Sequence, residues 1–152
     1  MKIKNLILII IFFFQISCGY KIANSVNDYK FNISDYNFKG DKKINNILER
    51  NFKRLKSNND YSKVFELDFN NKITRSIMSK DTSGKALTYK LKVTVDLEIL
   101  ENNNLFNKIT FTEKTDYNNT DSKFELKQYE DILTEDLVDQ IIIQINNYLN
   151  SI

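Results

Sequence analysis

The segment Leu87-Thr88-Tyr89-Lys90-Leu91-Lys92-Val93-Thr94-Val95-Asp96-Leu97-Glu98-Ile99 decides the fold class of this chain. Every odd-numbered residue in it is apolar and every even-numbered residue is polar. Successive side chains of a strand point to opposite faces, so the pattern predicts a long strand with one face in a core and the other in water. A slip of one residue in its pairing would turn all the apolar side chains to solvent, so the register is well specified.

Shorter segments with the same two-residue period surround this strand. They are 29–33, which Tyr36 and Phe38 extend after a break, 61–69, 73–77 and 105–117. Polar segments separate the later ones at Asn70 and Asn71, at 81–84 and at 101–104. These three segments predict turns between antiparallel strands, because Asn and Gly tolerate positive φ angles.

Two other segments repeat their apolar residues every three or four positions, which predicts helices. Asp41 is the predicted N-cap of the first helix. Its apolar stripe is Ile44, Ile47, Leu48, Phe52 and Leu55, and a polar cluster at 57–60 ends it. The second stripe extends from Leu126 to Ile152. The order of strand, helix, strands and helix predicts an α+β domain with an antiparallel sheet of about four to five strands and two helices packed on one face.

The first seventeen residues have the layout of an export signal. Lys2 and Lys4 precede an unbroken apolar run at 6–14, and no acidic residue occurs before Cys18. This run is about half of the ~20 apolar residues that a helix needs to cross a bilayer. We therefore expect a signal peptide over 1–17 rather than a permanent transmembrane anchor.

The only cysteine, Cys18, comes directly after this signal. Ile16, Ser17 and Gly19 resemble a bacterial lipobox around it, whereas Gln15 departs from the usual aliphatic residue. The resemblance implies a Gram-negative lipoprotein in which the Cys18 thiol carries a diacylglyceryl group and a further acyl chain such as palmitate is attached. Several chains anchor a protein far more firmly than one. Gly19 stands where such lipoproteins carry Asp when they are retained at the inner membrane, which favours the periplasmic face of the outer membrane.

Composition limits the rest of the protein to one domain with balanced charge. We expect 18–28 to be the lipidated cysteine with a polar spacer, and 29–152 to be a single α+β domain. Without Lys2 and Lys4, the chain has 20 basic and 20 acidic residues. This balance creates no strong positive field, so we expect no nucleic-acid partner.

The sequence contains few of the residue combinations that carry out catalysis. The chain has no histidine, which excludes a Ser-His-Asp triad and a histidine-ligated zinc site. The carboxylate pairs Glu130-Asp131 and Glu135-Asp136 lie off the apolar stripe of the second helix and are interpreted as a solvated face. We therefore expect no catalytic residue, no metal and no cofactor other than the lipid on Cys18.

Three features together resemble the lipopolysaccharide-assembly lipoprotein family, LptE. They are the lipobox running into Cys18-Gly19-Tyr20, the turn and strand from Asp81 to Val95, and the long C-terminal helix that passes from acidic to apolar. The resemblance covers the whole chain. It implies an outer-membrane protein that plugs the β-barrel of an LptD-like partner and helps to insert lipopolysaccharide into the outer leaflet.

The resemblance also gives the basic residues near the long strand a candidate role, since they can act as charge-assisted donors to lipid A phosphates. The candidates are Lys72, Arg75, Lys80, Lys85, Lys90 and Lys92. The alternative is that they are ordinary solvated side chains. For the whole protein, two other functions stay open: an accessory or structural lipoprotein of another envelope assembly machine, and a periplasmic enzyme, which the missing histidine disfavours.

Overall fold

The computed structural model describes residues 31–53, 63–102 and 104–152. Four strands and two helices account for most of them: β1 (Asn32–Gly40), α1 (Lys42–Phe52), β2 (Val64–Lys80), β3 (Ala86–Glu101), β4 (Asn104–Asn118) and α2 (Lys123–Ser151). Both the α+β class and the predicted order of elements are confirmed. Neither of these two helices has a stretch apolar and long enough to cross a bilayer.

The sheet is mixed, which corrects the prediction of a purely antiparallel one. Its strand order is β1-β2-β3-β4, with β1 and β2 parallel and the other neighbours antiparallel. The physical reason is α1, because a helix between two paired strands returns the chain to the end where it began. The predicted break in the first strand is confirmed as a register shift between Ile33 and Asp35, whereas Tyr29 and Lys30 lie outside the described residues.

The predicted hairpin turn at Asn70 and Asn71 is wrong, because β2 continues through both residues. Asn71 is 4% exposed. Its side-chain oxygen accepts a hydrogen bond from the Asp41 backbone N–H at 2.9 Å, and its amide nitrogen donates to Asn45 Oδ1 at 2.6 Å. Asn71 is thus a buried polar contact between β2 and the start of α1, and sequence alone did not distinguish it from a turn residue.

Gly40 ends β1 against this same part of β2. Its φ angle is +103°, and a Cβ atom built on it would lie 1.9 Å from the Asn71 carbonyl oxygen. Only glycine combines this backbone conformation with such a close approach. The next residue, Asp41, accepts hydrogen bonds from the backbone N–H groups of Lys43 and Ile44, which confirms it as the N-cap of α1. The predicted helix end at 57–60 lies outside the described residues, as does Leu55.

The core lies between one face of the sheet and the two helices. It contains five apolar side chains of β3, Phe65, Leu67 and Phe69 of β2, and the inner stripes of both helices. Ile33 of β1 and Phe31, directly before β1, belong to it as well, together with Phe111 and Tyr117 of β4. Phe69 packs between Phe38 and Phe52, with ring centroids 5.0 and 5.1 Å apart. Each fully buried side chain of this kind contributes about 1.5–3 kcal/mol. Leu87, at the start of the long strand, differs from its expected burial because it is 48% exposed.

Candidate functional site

The face of the sheet that points away from the helices is polar and open. Even-numbered residues of β2, β3 and β4 stand side by side on it, as in the rows Lys72, Thr94 and Thr112 or Thr74, Lys92 and Lys114. Neighbouring strands are about 4.8 Å apart, so side chains in one row can contact the same ligand. The alternation predicted from the sequence of β3 is confirmed on this face.

Charge is divided along the open face. Near the start of β2 it carries mostly carboxylates: Asp35, Glu66, Asp68, Asp96 and Glu98. Lys108 donates to Glu98 at 2.5 Å there, and this carboxylate raises the pKa of Lys108. Beyond Asn71 the face carries lysines and hydroxyls instead. We call Lys72, Lys90, Lys92 and Lys114 the basic patch.

The basic patch holds more positive charge than its neighbours neutralise. Lys90 Nζ lies 3.8 Å from Asp116 Oδ1, which is a long ion pair. Lys92 and Lys114 are directly opposite each other on β3 and β4, an arrangement that is unfavourable for like charges. In the part of the chain that the structure describes, neither of them forms an ion pair, and Lys72 forms none either. An anion placed over this row would relieve the repulsion.

Arg75 lies on the opposite face, under α2. It pairs with Leu91 in the register, so it shares the helix-facing side of the sheet. Its Nε atom is 3.3 Å from Glu130 Oε1, and its guanidinium carbon is 3.7 Å from the centroid of the Tyr89 ring. Arg75 is therefore held by a carboxylate and an aromatic ring, and it does not join the basic patch.

Tyr117 completes the group around Arg75. Its hydroxyl donates to Glu130 Oε1 at 2.5 Å, and its ring stacks on Tyr89 with centroids 5.6 Å apart. Burial raises the pKa of Tyr117, and the hydrogen bond and charge of Glu130 raise it further. The Glu130 side chain is only 16% exposed. This corrects its interpretation as a solvated carboxylate, because Glu130 joins α2 to the sheet.

Two further members of the carboxylate pairs, Asp131 and Glu135, contact side chains of α1. Asp131 accepts hydrogen bonds from Lys43 of α1 and from Lys127, which lower the pKa of Asp131. Glu135 accepts one from Arg50 of α1 at 2.9 Å. These contacts join the two helices at their exposed edge.

A pocket of about 450 Å³ lies between the start of α2 and the sheet. Arg75, Tyr89 and Glu130 line it on one side, and Lys85 and Asp121 on another. Lys85 Nζ donates to Asp121 at 2.6 Å, which raises the pKa of Lys85 and lowers that of Asp121. Every charged group named here already has a partner of opposite sign, so the pocket offers less unbalanced charge than the basic patch.

The six basic candidates are therefore divided. Lys72, Lys90 and Lys92 come together on the open face, whereas Arg75 and Lys85 line the pocket on the helix side, and Lys80 is exposed at the end of β2. Cys18 lies outside the described residues. The sequence prediction missed Lys114, although a signal existed. Lys114 is even-numbered in a strand whose core positions, Phe111 and Tyr117, are odd-numbered.

The donor set of the site suits binding of anions rather than metal chemistry. Over residues 31–53, 63–102 and 104–152, no three acidic or thiol side chains are arranged to hold a metal ion. Amines and hydroxyls of the basic patch can donate hydrogen bonds to phosphate or carboxylate oxygens.

A family model named LptE and described as Lipopolysaccharide-assembly matches residues 30–149. The chain belongs to the LptE family. This confirms the resemblance inferred from the sequence, and it connects the chain with a family of lipopolysaccharide assembly. A search of curated proteins finds no match.

Solved structures of bacterial lipoproteins share the fold. The rare lipoprotein B of Shewanella oneidensis is 14% identical with a TM-score of 0.58, and the match covers 77% of this chain and 94% of that one. Lipoprotein B of Nitrosomonas europaea is 19% identical with a TM-score of 0.58, over 88% and 91% of the two chains. The minor lipoprotein of Acinetobacter baumannii is 16% identical with a TM-score of 0.56, over 77% and 90%. At these identities the likeness concerns the fold alone.

Proposed function

We propose that this chain is an outer-membrane lipoprotein that binds inside an LptD-like β-barrel and presents lipopolysaccharide to it, without catalysing a reaction. Membership of the LptE family supports a role in lipopolysaccharide assembly. The observation that carries the ligand assignment is the basic patch, where Lys72, Lys92 and Lys114 have no acidic partner among the described residues.

The basic patch has the chemistry to recognise lipid A phosphates. Lysine amines provide charge-assisted hydrogen bonds to phosphate oxygens, and at exposed side chains each contributes about 0.2–1 kcal/mol. Thr74 and Thr112 add hydroxyl donors beside them. A phosphate over Lys92 and Lys114 would also cancel the repulsion between these two side chains.

The described domain begins at the end of the sheet that is far from the basic patch, and a lipid anchor on Cys18 would be attached at that end. β1 begins beside Val64, at the carboxylate-rich end of the open face, whereas the basic patch lies beyond Asn71. The twelve residues 19–30 between Cys18 and the described domain could extend to about 40 Å at ~3.3–3.6 Å per residue. Acyl chains on Cys18 would therefore keep the start of β1 within about 40 Å of the inner leaflet.

A plug for a barrel needs a compact domain with a polar outer surface, because the lumen of large outer-membrane barrels is polar. The two helices and the closed core supply the compact part. The open sheet face and the charged outer sides of the helices supply the polar surface. Binding, orientation and charge are thus sufficient for the proposed role.

The central test is affinity purification of the tagged full chain from detergent-solubilised membranes. We expect an outer-membrane β-barrel protein to be recovered in equal amounts with the chain. Recovery of the chain without any barrel would refute the proposal and favour an accessory lipoprotein of another envelope machine. The mass and membrane fractionation of the chain test the anchor separately: we expect both to change in Cys18→Ala, and if both stay unchanged, acylation of Cys18 is wrong.

The ligand assignment is tested separately with purified lipopolysaccharide. The double variant Lys92→Glu and Lys114→Glu should bind at least about tenfold more weakly, because two charge-assisted donors become repulsive carboxylates. Lys42→Glu with Lys53→Glu is the matched control: it changes the net charge equally, at two exposed positions of α1 and its end. Equal weakening in both double variants would show a general charge effect and contradict a site at the basic patch.

A further inference from the structure

The second half of β2 has an unoccupied edge. β1 pairs with β2 only as far as Gly40 and Asn71, after which the chain leaves the sheet into α1. Residues 72–77 pair regularly with β3 on one side, Ser79 and Lys80 pair with it after register shifts, and none of the described residues pairs with 72–80 on the other side. In an antiparallel ladder, every second residue directs both its N–H and its C=O away from the partner strand. This edge therefore presents a row of backbone donors and acceptors.

The free part of β2 has charged ends, but its middle carries few of the features that normally protect an edge strand. Exposed edges are commonly blocked by charged side chains, Pro or short length. β4, the edge strand at the opposite side of the sheet, carries Lys108, Glu113, Lys114 and Asp116 along its length. Between Lys72 and Lys80, Arg75 is the one charged residue, and Glu130 and Tyr89 hold it under α2. The pairing with β3 shifts register after Ile77, so 73–77 is the regular and least protected part of this edge.

The side chains along this edge suit a strand with alternating chemistry. Ile73 and Ile77 point to the helix side, where Ile73 is half-buried and Ile77 is 50% exposed. Thr74 and Ser76 point to the open face and are exposed. A strand added here would place apolar residues beside the two isoleucines and polar residues beside the hydroxyls, because neighbouring strands align their faces.

Charge at the two ends of the edge determines which occupant fits. Lys72 and Lys80 are exposed and form no ion pair within the described part of the chain. If a second copy paired antiparallel over the whole edge, Lys72 of one chain would lie opposite Lys80 of the other at both ends. Like charges directly opposite are destabilising, so the full-length pairing favours a different strand with acidic ends.

We propose that residues 72–80 of β2 bind an extended segment of a protein partner, which adds a fifth strand to the sheet and carries carboxylates that contact Lys72 and Lys80. This goes beyond the proposed function, because it concerns a peptide segment rather than lipopolysaccharide or the anchor. Backbone hydrogen bonds supply the affinity in such strand addition, and the alternating side chains supply the specificity.

The test uses the full chain in detergent and the synthetic peptide Glu-Val-Thr-Val-Thr-Val-Thr-Val-Glu, whose sequence reads the same in both directions. Residue-resolved amide hydrogen exchange should show slower exchange at every second amide within 72–77, where the ladder is regular, and no change along β4. Two further peptides, one N-methylated at all valines and one at all threonines, distinguish backbone hydrogen bonding from non-specific binding through side chains. Only alternate N–H groups of an added strand face the sheet, so one of these peptides should keep its affinity and the other should lose binding.

Charge reversal tests the acidic ends of the occupant. Lys72→Glu with Lys80→Glu should weaken the peptide about tenfold, since two attractive pairs become repulsive. Lys42→Glu with Lys53→Glu should leave its affinity unchanged. Equal binding of both N-methylated peptides, or no protection within 72–80, would overturn the proposal.

The protein without peptide tests the two other occupants. Protection of 72–80 that increases with protein concentration, together with dimers in sedimentation, would assign the edge to a second copy. Protection that does not depend on concentration would assign it to another segment of the same chain. Either result would overturn a heterologous partner, whereas fast exchange of these amides in the free protein supports it.

Discussion

The two halves of β2 have nearly the same alternating pattern and different environments. From Val64 to Asn71 the strand lies between β1 and β3, and its apolar side chains Phe65, Leu67 and Phe69 are at most 1% exposed. From residue 72 onward it keeps β3 but loses β1, and Ile77 is 50% exposed. One continuous strand therefore stabilises the core with its first half and presents an accessible edge with its second. The difference begins where β1 ends, at Gly40 and Asn71.

The largest expected effect tests this difference directly. Phe69→Ala removes a ring packed between Phe38 and Phe52, and should cost about 3–5 kcal/mol of unfolding free energy. Ile77→Ala, in the other half of the same strand, should cost about 0.5 kcal/mol because the side chain is half exposed. Urea unfolding monitored by circular dichroism measures both. Similar costs at the two positions would mean that the second half of β2 is covered in solution.

A smaller effect is expected where β1 ends. Gly40→Ala places a side chain at a positive φ angle, with its Cβ atom 1.9 Å from the Asn71 carbonyl oxygen. It should therefore destabilise the fold by roughly 2–4 kcal/mol. Gly84→Ala is the matched control, because Gly84 has φ +86° but no atom within 4 Å of the added Cβ. It should cost only about 1 kcal/mol. Equal midpoints of urea unfolding for the two variants would contradict the close approach of β1 to β2.

The smallest effect concerns the contact between α2 and the sheet near Arg75. Tyr117→Phe removes the hydrogen bond to Glu130 and should cost about 1–2 kcal/mol near pH 8. The fold raises the pKa of Tyr117, so the folded protein keeps the phenol proton at a pH where the unfolded chain releases it. The raised pKa of Tyr117 therefore contributes fully to the free energy of unfolding below the ordinary tyrosine pKa of about 10. This stabilisation is lost progressively as the pH rises above that value.

The cost of Tyr117→Phe should therefore shrink above about pH 10, where the wild-type protein loses the advantage. Unfolding free energies at about pH 8 and about pH 10.5 give the comparison, and the tyrosinate absorbance reports the titration. Tyr129→Phe, at a side chain that is 45% exposed, is the control and should have little effect at either pH. A constant cost of Tyr117→Phe across this range would show that the phenol is not held in its neutral form.

Periodicity predicted the elements of this fold well because strands and helices impose fixed repeats on buried side chains. The alternation in β3 and the stripes of both helices gave the correct order and the shared face of the helices. Periodicity did not reveal that Asn70 and Asn71 continue a strand, since Asn suits both a turn and a buried amide contact. The contact partners of Asn71, which are Asp41 and Asn45, are distant in sequence, so no local signal identifies them.

For the candidate site, too, the sequence predicted which face of a strand a residue occupies but not its tertiary contacts. Parity along the strands correctly placed Lys90 and Lys92 on the open face, and it would also have found Lys114. Arg75 was assigned to the same group because it lies near them in sequence. Its odd number placed it under α2 instead, where Glu130 was interpreted as a solvated carboxylate. The pairing of α2 with the sheet, which makes Glu130 a buried partner, depends on tertiary packing that a one-dimensional pattern does not contain.

The parallel pairing of β1 with β2 also determines how the domain bears mechanical load. A pull on the residues before Phe31 acts along the axis of β1, away from the end where the basic patch lies. If a ligand or partner holds that far end, the two forces slide β1 past β2 and load the regular rungs of the parallel ladder, from Asp35 to Gly40, together. A strand pulled sideways would instead open one hydrogen bond at a time. β1 therefore serves as a shear-resistant joint between the N-terminal segment and the rest of the domain.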